Sequence, residues 1–140
     1  MADKQVKRAV AQGGGPEPGY QWSVEFLTIA DAEARKILVD RDQYEHVVDQ
    51  VRELARQEDP THPSTLRVRA IQTIHELKEK GGPLGRINLR VFFFVDKVRR
   101  TIVLLGHYKK EEDGSTPPAV VRSMERRKRK YLNGDYGSAQ

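Results

Sequence analysis

Residues Arg86 to Lys110 read RINLRVFFFVDKVRRTIVLLGHYKK, two apolar runs around a short polar one. Ile87 to Val95 and Thr101 to Leu105 are dense in β-branched and aromatic residues, which favour strands. Asp96 to Arg100, DKVRR, suits the connection of a hairpin. The run VFFFV has no polar alternation, so its strand is expected to be covered on both sheet faces. Charge is costly inside such a sheet. Yet Arg86 and Arg90 stand at its entry, and His107, Tyr108, Lys109 and Lys110 at its exit. Antiparallel pairing sets the start of one strand beside the end of the next. The two basic groups are therefore expected to meet at one end of the sheet.

Working outward, Tyr20 to Thr28 alternates Trp22, Val24 and Phe26 with Gln21, Ser23 and Glu25. This predicts a short strand with one buried face, at an edge of the sheet. Asp31 can cap a helix with Glu33 in its first turn, and Tyr44, Val47, Val48, Val51, Leu54 and Ala55 carry the helical period until Pro60 and Pro63. Ser64 can cap a second helix whose stripe is Leu66, Ala70, Ile71, Ile74 and Leu77, stopped at Gly81 and Gly82. Beyond Lys110 the loop EEDGSTPP leads to a last helix, with Thr116 as cap and Pro117 in its first turn. Residues 1–19 are polar and rich in Gly and Pro, and are expected to form a disordered leader; residues 133–140 are expected to fray. The expectation is one α+β domain over residues 20–132. It would have an antiparallel sheet of three to four strands, an N-terminal helical hairpin on one face and a basic C-terminal helix.

Charge is unevenly placed. Residues 1–85 hold 12 Lys/Arg against 14 Asp/Glu, while residues 86–140 hold 13 against 6. Residues 122–130 alone carry six positive charges and one negative, as much net charge as the whole chain's +5. Such a concentrated field points to a polyanion, nucleic acid first, with an acidic protein or a merely solvated basic surface as alternatives. There is no cysteine, which excludes disulfides and Cys-based zinc sites and is compatible with a reducing, cytoplasmic setting. No apolar run is long enough for a membrane span. His46, His62, His75 and His107 lack metal-ligand spacing, and no nucleophile elbow or phosphate-cradling glycine loop is present, so no metal or cofactor is called for.

The remaining chemistry is a group of Arg, Lys, His and Tyr without a carboxylate. That mixture suits cleavage of RNA by its own 2′-hydroxyl, which needs a base, an acid and cations for the phosphoryl oxygens. Arg90, His107, Lys109 and Lys110 are the candidate catalytic residues. Arg supplies fixed charge in a fork, His titrates near neutrality, and Lys among like charges gives up its proton more readily. Arg86, Tyr108, Arg122, Arg126, Arg127 and Arg129 are the candidate RNA-binding residues, with Tyr108 able to stack on a base. The alternative for Lys109 and Lys110 is that they blunt a strand end.

Leu89-Arg90-Val91-Phe92, then Leu104-Leu105-Gly106-His107-Tyr108-Lys109-Lys110, then Ser115-Thr116-Pro117 before a basic helix, resembles the RelE/ParE superfamily of toxins from type II toxin–antitoxin modules. The HigB-like branch is nearest. The resemblance spans about Tyr20 to Leu132 and is specific from Leu89 onward. It implies an mRNA endonuclease acting on the ribosome, held in check by a cognate antitoxin that is often a helix-turn-helix protein. It implies that Arg90 holds the scissile phosphate and that Lys109 and Lys110 assist. Members of the RelE type often use a Tyr near the C-terminus; Tyr131 occupies that region, and its spacing with Met124 and Lys128 favours packing. ParE-like relatives act on gyrase without the nuclease set, so a protein-binding toxin fold and a plain RNA-binding module stand as alternatives.

Overall fold

The computed structural model describes residues 6–8, 11–12, 15–16, 18–111 and 114–137. In chain order the elements are β1 (Val6–Arg8), β2 (Ala11–Gln12), β3 (Gly15–Pro16), β4 (Ser23–Leu27), α1 (Thr28–Ile37), α2 (Arg41–Arg56), β5 (Arg67–Ile71), β6 (Ile74–Lys80), β7 (Asn88–Asp96), β8 (Thr101–Lys109) and α3 (Pro118–Leu132). Six strands make one mixed sheet in the order β1-β4-β8-β7-β6-β5, and β2 pairs with β3 apart from it. All pairings in the large sheet are antiparallel except β4 with β8. The described residues thus form an α+β fold, with three α-helices among them.

The hairpin expected from Arg86 to Lys110 is β7–β8, and it lies in the middle of the sheet. Its apolar run is covered on both faces. Val91 and Phe93 pack with Ala34, Leu38, Val47 and Val51 of α1 and α2. Phe92 and Phe94 pack with Met124 of α3 and with Ile74, Val103 and Leu105. Two layers of helix therefore enclose the sheet, one on each side.

Three expectations need correction. The sheet has six strands in mixed orientation where three or four antiparallel ones were expected. β4 is not an edge: β8 lies on one side and β1, from the supposed leader, on the other, with Val6 fully buried opposite Leu27. The remaining leader residues, 1–5, 9–10, 13–14 and 17, lie outside the described residues, as do 138–140 of the tail. The tail's first residues are tied down, Asp135 N–H donating to Lys130 O at 2.9 Å and Tyr136 packing on the α3 side of the core.

The third correction concerns residues 64–81, expected as a helix and found as the β5–β6 hairpin. The helical hairpin is instead α1–α2, both within the segment read as the first helix. In β5–β6, Val68 stands opposite Leu77 and Ile71 opposite Ile74. The turn is Gln72-Thr73, with Gln72 at φ 56°. Tight hairpins usually put Gly or Asn at such a position. Here α3 supplies what the turn lacks. The Glu125 carboxylate accepts the Thr73 N–H at 3.0 Å and its hydroxyl, and Lys128 Nζ donates to Thr73 O at 2.7 Å. A tertiary clamp thus stands in for local turn chemistry. Gly81-Gly82-Pro83, read as a helix stop, links β6 to β7. The C-terminal helix begins one residue later than expected, with Pro117 at its N-cap and Pro118 in the first turn. Thr116, expected as the cap, gives its hydroxyl to Glu76 instead.

A bulge interrupts β7–β8: Phe92 pairs with Gly106 and Phe93 with Leu104, so Leu105 is an extra residue in β8. At Gly106 a side chain has no room. A Cβ would lie 2.5 Å from Arg127 Nη1 and 2.5 Å from Met124 Cε. Arg127 cannot simply swing away, because the same nitrogen bonds Glu33 and the Leu105 carbonyl. Gly106→Ala should therefore destabilise the fold by about 1–3 kcal/mol, the usual cost of overpacking. Chemical denaturation measures it, and an unchanged midpoint would contradict the close approach of α3 to β8.

Candidate functional site

The bulge governs where the expected catalytic group falls. Directly paired residues share a sheet face. Arg90 pairs with Tyr108, Val91 with His107, and Leu89 with Lys109. Arg90 and Tyr108 therefore lie on the α3 face, while His107 and Lys109 lie with Val91 and Leu89 on the α1–α2 face. The ladder continues through Lys110 N–H to Asn88 O at 2.8 Å, and by alternation Lys110 belongs to Arg90's face. The four residues expected around one phosphate are thus divided by the thickness of the sheet.

His107 is buried, and its Nδ1 bonds Ala30 O at 2.8 Å. A carbonyl only accepts, so the proton sits on Nδ1. Its backbone N–H donates to Glu33 at 3.1 Å. Burial pushes its pKa below the ordinary imidazole value, against the opposing pull of the Ala30 carbonyl, Glu33 and Asp31. It lines an apolar cavity of about 270 Å³ under α1 and α2 with Asp31 and Tyr44. A neutral, enclosed imidazole in this position cannot reach a phosphate beside Arg90. Lys109 is exposed, 3.9 Å from Glu111. Arg86 is exposed just ahead of β7.

The structure gathers a different set on the α3 face. Arg67 on β5 stands opposite Lys78 on β6, Lys78 opposite Arg90 on β7, and Arg90 opposite Tyr108 on β8. Three cations and an aromatic ring form one row across four strands. Like charges directly opposite one another destabilise a sheet, so packing does not account for the row. Burial, then Arg69 and Arg90 nearby, push Lys78 below the ordinary lysine value. Burial likewise lowers Arg90, offset in part by Glu76, yet a guanidinium stays charged at any working pH. Arg90 is nine-tenths buried; its Nη1 donates to Asn88 Oδ1 at 2.6 Å, and its Nε lies 3.5 Å from Glu76 Oε1. Arg67, Lys78, Asn88 and Arg90 open into a cleft of about 320 Å³ that His46 and Glu79 also line.

Farther along the same face of β5, Arg69 lies across from α3 in a groove of about 640 Å³ lined by Thr116, Arg122, Glu125, Arg126 and Arg129. Arg122, Arg126 and Arg129 are exposed and spaced to share one helical face. Arg127 is not part of it. It turns inward to Glu33 in a two-pronged pair of 2.8 and 2.9 Å, and to Leu105 O at 2.9 Å, fastening α3 to α1 and to the bulge. Tyr131 also serves packing: its hydroxyl meets buried Glu25 at 2.5 Å and accepts from Arg99.

Arg67, Arg69 and Lys78 belong to a segment whose apolar spacing predicts a helix, so that reading of the sequence does not single them out. The signal was the alternation Arg67-Val68-Arg69, which fits a half-buried strand. No protein-family model matches the chain, and no curated protein matches it. Among the described residues no helix is long and apolar enough to cross a membrane.

The state of His107 has a measurable consequence. Unfolded, it titrates near 6.5, the ordinary value. Folded, its pKa is lower, so the unfolded chain binds more protons in the interval between. Stability then falls as pH drops from about 6.5 through the folded value. His75, also held down by burial, adds to the slope. His107→Gln should flatten the loss of stability between neutral and mildly acidic pH, read as denaturation midpoints across that range. An identical slope would mean that His107 binds its proton as readily in the fold as in the unfolded chain.

Proposed function

We propose that the α3 face binds the phosphate backbone of single-stranded RNA and that the protein is an RNA-cleaving toxin of the RelE/ParE kind, paired with an antitoxin. The observation that carries this is the row Arg67–Lys78–Arg90–Tyr108, an arrangement adverse to the sheet and suited to a phosphodiester. The groove on α3 extends the same field by three arginines. Guanidiniums match phosphate oxygens in pairs, and a ring at the row's end offers a base a stacking surface.

In this mechanism Lys78, eased toward its neutral form, takes the proton of the ribose 2′-hydroxyl. The 2′-oxygen bonds to the adjacent phosphorus while the bond to the 5′-oxygen breaks. The 5′-oxygen takes up a proton from water or from Lys110, leaving a 2′,3′-cyclic phosphate and a 5′-hydroxyl. Arg90 and Arg67 stabilise the phosphoryl oxygens as charge builds. His107 and Lys109, on the opposite face, take no part. A second reading, RNA binding without cleavage, is favoured by one specific observation: none of the four residues of the row is an imidazole, His107 is enclosed on the other side, and the His46 ring that lines the cleft is bonded to Glu79.

The test is cleavage and binding of a single-stranded RNA by purified protein, with ribosomes present and absent. Arg90→Ala should lower cleavage by about 10²–10³-fold, the scale of losing one transition-state donor. Lys78→Met should do the same and leave the fold intact, whereas Lys109→Ala should stay near wild type. Binding without a cyclic-phosphate product would establish the second reading. Binding insensitive to salt and to Arg90→Ala would sink both.

A further inference from the structure

Besides Glu79 and Glu125, which line the cleft and the groove, Glu76 is a carboxylate in contact with this cationic face, and it is almost fully buried, 1% exposed. It lies on β6 one rung from Lys78, between two guanidiniums from opposite neighbours. Arg69 Nε of β5 stands 3.6 Å from Oε1, and Arg90 Nε of β7 stands 3.5 Å from the same oxygen. Its other oxygen accepts the Thr116 hydroxyl from the loop entering α3. Three separate parts of the chain thus converge on one carboxylate.

Stability alone does not explain it. Burying an ion pair costs desolvation that its attraction rarely exceeds, and an apolar residue would pack at least as well beside Phe92. The geometry is that of an orienting group. Arg90 is held by a hydrogen bond from Nη1 to Asn88 and by an ion-pair contact with Glu76, whose Oε1 lies 3.5 Å from a buried Nε that makes no hydrogen bond. A long side chain restrained by a hydrogen bond and an ion pair loses little further freedom when it meets a ligand.

We propose that Glu76 is a positioning residue for phosphodiester binding. It aims Arg90 into the row and Arg69 toward the α3 groove, and through Thr116 it sets where α3 begins. The two cationic surfaces then form one continuous path for an RNA backbone, bending at β5–β6. This rests on the RNA-binding function proposed above.

The sign of one substitution tests it. Removing an acid from a polyanion-binding surface ordinarily strengthens binding. Glu76→Gln keeps the shape and still accepts from Thr116 but frees both guanidiniums. As a positioning residue, its loss should weaken binding of a fluorescent single-stranded RNA by about tenfold despite the added positive charge, the scale of coupling within a contact network. Glu76→Asp, with charge kept and reach shortened, should also weaken it. Glu111→Gln, an exposed acid beside Lys109, should leave binding equal or slightly tighter. Equal or tighter binding by Glu76→Gln, or wild-type binding by Glu76→Asp, overturns the proposal, as does failure of both variants to fold. The Arg90 Nε–H signal in NMR separates this from the function itself. A signal sharp in the wild type and lost in Glu76→Gln upholds the positioning even if the wild type binds no RNA, in which case the RNA-binding function falls alone.

Discussion

β7 is apolar on both sides, and that single property constrains everything around it. A strand carrying Val91, Phe92, Phe93 and Phe94 needs cover above and below, which α1 and α2 provide on one face and α3 on the other. No charge is tolerated along its middle. Arg90 enters where the two helical layers stop short, at the end where β7 begins and β8 finishes. Arg90 sits at that limit, nine-tenths buried and still charged. The site is therefore a boundary feature of the core, and its position follows from how far the core extends.

The same boundary explains how acids are used. Glu25, Glu33 and Glu76 each answer an arginine: exposed Arg99, and the inward-turned Arg127 and Arg90. Two of these pairs fasten α3, one through Tyr131 at its end and one through Arg127 at its middle. One side of α3 is spent on attachment, which leaves Arg122, Arg126 and Arg129 on the groove side. The dense charge of residues 122–130 thus divides by helical phase into a structural part and an exposed part.

The β7–β8 hairpin, the α+β class and the basic last helix were legible because their signals are local: β-branched runs, a polar turn, a helical period. The β5–β6 hairpin was not. Leu66, Ala70, Ile71, Ile74 and Leu77 happen to satisfy a helical spacing, and the Gln72-Thr73 turn depends on Glu125 and Lys128, far away in sequence. The candidate site was half legible. Strand alternation alone separates Lys109 from Lys110 and His107 from Tyr108. The extra residue Leu105 decides which half joins Arg90, placing Tyr108 and Lys110 with it and His107 and Lys109 opposite, and no sequence signal distinguishes a strand with such an insertion from one without. Arg67, Arg69 and Lys78 could be found only once their segment was recognised as strands.

The parallel pairing of β4 with β8 joins Ser23–Phe26 to Thr101–Leu104, near the two ends of the described chain. Contacts between such distant segments form late, since a long loop must close before they are rewarded. During synthesis β4 and its helices emerge long before the strand that completes them. The centre of the sheet therefore waits for β8 to leave the ribosome, and a product that stops short of it would expose the apolar faces of β4 and β7 to chaperones and proteases.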